Sequence, residues 1–124
     1  MLARIILTER HVKTDPETGA RTPKAEAFLP YKWVELSVIR HRELDETELW
    51  EIARGIAELR QKTLIGRGDF AARSARARGL DVVPAEGAGL PKNHADVINW
   101  PAEKPAQLLL AAEIASAAEF VAPR

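Results

Sequence analysis

The fold is decided by the stretch Trp33–Gln61, which reads WVELSVIRHRELDETELWEIARGIAELRQ. Its first part, Trp33–His41, alternates between two faces, with Val34, Leu36 and Val38 on one of them. A side-chain period of two is typical of a strand, so we predict a strand with one buried face here. The period then changes to that of a helix.

The helical part of this stretch begins with a capping signal. Asp45 stands at the N-cap position and Glu48 follows three residues later, in the pattern of a capping box. An apolar stripe at helical spacing starts at Leu49, so we predict a helix over Glu46–Gln61. Gly55 inside it costs about 1 kcal/mol relative to alanine, which suggests close packing at that point.

The same two periods place the other elements outward from this stretch. We predict strands over residues 2–12, 80–83 and 94–100, an exposed turn over residues 14–19, and a long alanine-rich helix near the C-terminus. Asp69 is predicted to cap a short helix over Phe70–Arg78. Together these predict one α+β domain, residues 1–124, of two layers: a mixed, largely antiparallel sheet with helices packed on one face.

Composition excludes several classes of protein. The 124 residues carry 18 Lys+Arg against 18 Asp+Glu, so overall charge does not favour nucleic acid or an anionic membrane. Cysteine is absent, which excludes disulfides, thiolate nucleophiles and Cys-ligated metals. The N-terminal residues do not match a signal peptide and no run reaches the roughly 18 apolar residues of a membrane span. We therefore expect a soluble, cytoplasmic protein.

Several short motifs occur in a distinctive order between residues 24 and 115. They are K-x-x-A-F-x-P at 24–30, L-S-V-x-R at 36–40, G-R-x-D at 66–69, G-L-x-V-x-P at 79–84 and H-A-x-V-x-x-W-P at 94–101. In this order the chain resembles a group of short bacterial proteins. The resemblance implies a stand-alone bacterial domain and brings no activity with it. Asn99 departs from the pattern, which has glycine before the Trp-Pro pair.

The strongest candidate site is the pair His94 and Asp96. Residues two apart on a strand share a face, so these side chains could form an acid–base pair or bind one ion. A metal site needs a third ligand, which His11, His41 or Asp69 would have to supply, and a structural histidine is the simpler interpretation. We therefore predict no metal and no cofactor.

The second candidate is the basic residues that could hold an anion. Arg67, in Gly66-Arg67-Gly68-Asp69, could clamp a phosphate, although a turn followed by an Asp69 cap is the simpler interpretation. Arg40, Lys24 and Lys104 are the further candidates for this role. The arginines of residues 73–78 could instead form a nucleic-acid surface, but with few aromatic residues nearby a solvated face is the better prediction.

Two classes of function follow. The first is a non-catalytic binding or regulatory module that acts through a protein partner or self-association. An exposed Trp33, or an exposed apolar strip with Leu109 or Phe120, would form its interaction surface. The alternative is a small enzyme or ligand-binding domain in which His94 and Asp96, with nearby basic residues, bind an anionic, phosphate-bearing molecule. Convergence of these side chains in one pocket would favour the alternative.

Overall fold

The change of period in the sequence marks the border between a strand and a helix. In the computed structural model, which describes residues 1–31 and 34–124, β4 covers Leu36–Arg40 and α1 covers Glu46–Leu59. The capping box is present: the Glu48 backbone N–H donates to Asp45 Oδ1 (2.8 Å) and the Asp45 N–H donates to Glu48 Oε1 (3.3 Å). The predicted start of the strand, at Trp33, lies outside the described residues.

One six-stranded sheet organises the domain. Its strands are β1 (Leu2–Ile6), β4, β5 (Gly66–Phe70), β6 (Asp81–Pro84), β7 (His94–Ile98) and β8 (Glu119–Val121). Their order is β6-β7-β4-β1-β5-β8, and every neighbouring pair is antiparallel. β2 (Val12–Thr14) and β3 (Arg21–Pro23) form a separate hairpin around the predicted turn. The α+β class and the antiparallel sheet are confirmed.

The helices cover both faces of the sheet, whereas the sequence predicted one. On one face a large core joins Leu2, Ile6 and Val38 to α2 (Ala72–Arg76) and α3 (Lys104–Ala117). On the other face Ala3 and Ile39 pack against Leu49 of α1. Alternation along β1 and β4 explains the two cores, because successive side chains point to opposite faces. Within the described residues, no helix is long and apolar enough to cross a membrane.

The segment around Arg67 differs most from its prediction. Gly66–Phe70 is the strand β5 and not a turn, and α2 has Ala71 as its N-cap, without a capping side chain. The glycines there make room for neighbours: a Cβ on Gly68 would lie 2.8 Å from the Phe28 ring. Asp69 therefore faces α1 from a strand and caps no helix.

Three smaller points concern single residues. Gly55 is exposed and a Cβ built on it would meet nothing within 4 Å, so the inferred close packing at this position was wrong. Asn99 has φ +73°, in the left-handed region that glycine adopts most easily, which explains why glycine suits this position. Trp50 and Trp100 are buried, and Trp100 Nε1 donates to the Val97 carbonyl oxygen (3.0 Å).

Candidate ligand-binding groove

A groove opens where β1 and β4 separate; most of its lining lies on the α1 side of the sheet, and Arg4 and Val38 belong to the opposite face of these strands. These two strands pair only at Leu2–Arg40 and Ala3–Ile39, whereas β1 pairs with β5 along its whole length. The resulting cavity has a volume of about 570 Å³, within the range of small-molecule sites. Its walls come from β1, β4 and β7, the end of α1 and the loop before β7. Among its lining residues are Arg4, Ser37, Leu59, Leu90, His94 and Asp96. We call it the sheet groove.

Arg4 fills the gap between the separated strands. Its Nε donates to the Ala27 carbonyl oxygen (2.9 Å) and its Nη1 donates to the Ser37 carbonyl oxygen (2.9 Å). The Ser37 carbonyl lies on β4 beyond Ala3–Ile39, the last residue pair that joins β4 to β1, so the second bond gives it a donor that β1 does not supply. Burial lowers the pKa of Arg4 to about 10, and the charge of Arg60 acts in the same direction. Among the described residues no carboxylate forms an ion pair with Arg4.

His94 and Asp96 lie on the same face of β7 and both line the sheet groove. His94 Nδ1 lies 3.0 Å from the Ala85 carbonyl oxygen, which can only accept, so in neutral His94 the proton is on Nδ1. Its Nε2 is then an acceptor, 3.8 Å from Asp96 Oδ1. That distance exceeds a hydrogen bond, although it is within the range of an ion pair for a protonated His94.

Ser37 is the only described serine that lines the groove, and it lies opposite Asp96 in the β4–β7 register. Its side chain forms no hydrogen bond with His94 within the described part of the chain. A serine nucleophile needs a base within hydrogen-bond reach, with that base oriented by a third group. In a catalytic pair of this kind a carboxylate would orient the histidine through Nδ1. Here His94 Nδ1 is instead hydrogen-bonded to the Ala85 carbonyl oxygen. Among the described residues, the groove therefore offers polar groups for recognition, and its serine is not hydrogen-bonded to a histidine base.

Arg67 belongs to a different, buried cluster beneath α1. Its guanidinium makes two hydrogen bonds to Glu46 (2.7 and 2.8 Å), and Nε lies 3.0 Å from Asp69 Oδ1. It stacks over Trp50, 4.7 Å from the ring centroid, and His41 Nε2 lies 3.2 Å from Asp69. Burial opposes its charge, but the hydrogen bonds to both carboxylates raise the pKa of Arg67 above its ordinary value. Each of the three Arg67 nitrogens already donates to one of these carboxylates, and the residue is only 2% exposed and lies outside the groove, so it does not offer a site for an external phosphate.

The other predicted anion ligands are scattered. Arg40 is part of a small depression on the opposite face of the sheet, where it pairs with Glu86 (3.2 Å). Lys24 precedes a 3₁₀ turn, Ala25–Phe28, and Lys104 is the first residue of α3; neither lines the groove. Convergence of these lysines and arginines with His94 in one pocket would have favoured the ligand-binding alternative, and the groove does not bring them together.

The other candidates can also be placed. In the residues that the structure describes, no three His, Asp or Glu side chains are grouped to hold a metal ion. Of the predicted basic surface, Arg76 pairs with Asp81 (3.7 Å) and Arg78 with Glu113 (2.9 Å), so carboxylates neutralise part of it. Phe120 is partly buried under Arg21, whose guanidinium lies 4.9 Å from the ring centroid. Trp33 lies outside the described residues.

The sequence did not single out Arg4, Arg60, Leu59 or Leu90 as groove residues. One signal was available: Arg4 is a lone charge within the apolar strand Leu2–Ile6. Burying a charge in a strand costs free energy unless its hydrogen-bond donors are satisfied. A lone arginine here therefore indicates a position where the fold supplies acceptors for its guanidinium. The others are brought together only by the packing of α1 and the loop over the sheet.

No family model, curated protein or solved structure matches this chain. Its function must therefore be argued from the groove itself.

Proposed function

We propose that this protein is a non-catalytic binding module and that the sheet groove is its binding site for a small molecule. The observation that carries the proposal is the concave groove of about 570 Å³ with an apolar wall and convergent polar groups. Small-molecule sites combine these features. His94 Nε2 and Asp96 would recognise polar atoms, and Ser37 offers a hydroxyl beside them.

The exposed apolar residues at the groove support the proposal. Leu59 is 81% exposed and Leu90 is 46% exposed, and both line the groove. They belong to different elements, the end of α1 and the loop before β7. A ligand with an apolar body would contact both and remove their surface from water, which contributes about 25 cal/mol for each Å² buried.

The test is a ¹⁵N NMR titration with hexanoate and its uncharged analogue hexanamide, which share one apolar chain. We expect at least one of them to shift the backbone amides of Ser37, Leu90 and His94. Leu59→Gln is expected to weaken this binding several-fold, because a leucine–ligand contact is lost. Leu109→Gln, which alters another exposed leucine (63%) on α3 outside the groove, is the control. Absence of groove shifts with both probes, or equal weakening by both substitutions, would contradict the proposal.

A second candidate function is self-association through α3. Leu109, one of the two residues named for an apolar strip, is 63% exposed on this helix, and its neighbour Leu108 is 45% exposed. Sedimentation velocity across a concentration series tests it. An oligomer that becomes monomeric in Leu109→Gln would support the second function, whereas a monomer at all concentrations would exclude it.

A further inference from the structure

Four basic side chains line the sheet groove without an ion pair to a carboxylate among its described residues. Arg4, Arg60, Lys62 and His11 all line it, and none of them forms an ion pair with a described residue. Arg4 is the least exposed of the three permanent charges. Its Nη2 makes no hydrogen bond to the described part of the chain, whereas Nε and Nη1 are both used.

The electrostatics show that these charges act on one another. The charge of Arg60 contributes to the lowered pKa of Arg4. Burial, followed by the charge of Arg4, lowers the pKa of His11, and the charge of Glu26 opposes this shift. Two carboxylates, Glu35 and Asp96, also line the groove, but neither is among the groups that shift Arg4. With Arg4, Arg60 and Lys62 against these two carboxylates, the described lining of the groove keeps an excess of positive charge.

We propose that the sheet groove selects a small molecule with an oxyanion, a carboxylate or phosphoryl group, bound between Arg4 Nη2 and Arg60, with its apolar body against Leu59 and Leu90. This inference rests on the proposed function and adds the chemical class of the ligand. A guanidinium suits such a group because its planar N–H donors match the spacing of two oxyanion oxygens. The anion would also neutralise charges that the protein leaves unpaired.

The geometry assigns separate roles to the two ends of the groove. Arg4 is held by two backbone carbonyls, so its guanidinium is ordered before a ligand arrives and little side-chain entropy is lost on binding. Arg60, the C-cap of α1, is exposed and can adjust to the ligand. His94 and Asp96 lie on the β7 side, where Asp96 disfavours a second anionic group. The preferred ligand therefore has its negative charge at one end only.

The test compares hexanoate with hexanamide in three proteins: wild type, Arg60→Gln and Arg54→Gln. Arg54 is on α1 but contacts the Arg124 carbonyl, away from the groove, so Arg54→Gln is a matched loss of charge. Arg60→Gln is preferred to a change at Arg4, whose removal leaves two carbonyls unpaired. In wild type we expect hexanoate to bind roughly tenfold more tightly than hexanamide, because one charge-assisted hydrogen bond is worth about that factor.

That preference should largely disappear in Arg60→Gln and persist in Arg54→Gln. Hexanoate should also raise the pKa of His11, followed by its ring proton shifts, because the anion offsets the charge of Arg4. Inorganic phosphate separates the contribution of the oxyanion from that of the apolar chain. It should compete with hexanoate for the groove but bind more weakly, because it lacks the chain.

Different results overturn different claims. Equal affinities for hexanoate and hexanamide, with groove amides shifting for both, would refute the anion preference and leave the binding site intact. An equal loss of hexanoate binding in Arg60→Gln and Arg54→Gln would also refute it, because general surface charge would then be responsible. Groove amides that respond to neither probe would contradict the proposed function together with this inference.

Discussion

Replacing Arg67 with methionine tests the buried cluster that fastens α1 to the sheet. Arg67 is 2% exposed and joins Glu46, in the first turn of α1, to Asp69 on β5. Methionine keeps an apolar side chain under Trp50 but removes every donor. Asp69, with a side chain only 12% exposed, is then left with His41 as its remaining partner.

The expected loss can be estimated from these contacts. Removing one partner of a buried ion pair costs about 3–5 kcal/mol, because the other charge stays buried and unpaired. The Glu46 side chain is 42% exposed and water can solvate its carboxylate, so Glu46 contributes little to the loss of stability. We therefore expect the lower limit of this range, about 3 kcal/mol. For a domain of this size that corresponds to a fall in melting temperature of about 10 °C.

Urea unfolding followed by circular dichroism provides the measurement, with Glu46→Gln as the control. We expect Glu46→Gln to lose about 1 kcal/mol or less, because its carboxylate is half exposed. Combining Arg67→Met with Asp69→Asn should recover part of the loss, since the unpaired charge is then absent. If Arg67→Met costs no more than Glu46→Gln, or if the double substitution recovers nothing, the argument from an unpaired buried carboxylate is wrong.

Three further predictions concern single residues. The hydrogen bonds from Arg67 lower the pKa of Glu46, so its stabilising effect is present at neutral pH and is lost as the pH falls below about 4.3; the stability difference between wild type and Glu46→Gln, measured by urea unfolding, should shrink there, and a constant difference would refute the linkage. Gly55→Ala should raise the unfolding free energy by about 1 kcal/mol, because the position is helical and open; a lower melting temperature would show hidden packing. Gly66→Ala should cost about 1–3 kcal/mol, because its Cβ would lie 2.7 Å from the Val121 carbonyl oxygen; unchanged hydrogen exchange at β8 would contradict this.

The elements with strong local signals were predictable. The helix after Asp45 has both a capping box and an apolar stripe, and these act through neighbours three and four residues apart. Such signals depend on residues close in the chain, so the sequence contains them fully.

The segment around Arg67 was mispredicted because its local and tertiary preferences disagree. Two glycines and an aspartate within four residues are typical of a turn. In the fold, however, Gly66 and Gly68 lie in a strand whose missing side chains make room for Phe120 and Phe28. A close approach between distant residues leaves no periodic trace in the sequence.

The sequence by itself determined the α+β class, the border between β4 and α1, and the shared face of His94 and Asp96. The tertiary structure alone decided that α1 packs on the face opposite α2 and α3, and that β1 and β4 separate around Arg4. The reason is physical: strand and helix periods act over a few residues, whereas the placement of elements depends on contacts between residues far apart in the chain. The sheet groove is formed entirely by such contacts, so its basic residues could be located only in the folded protein.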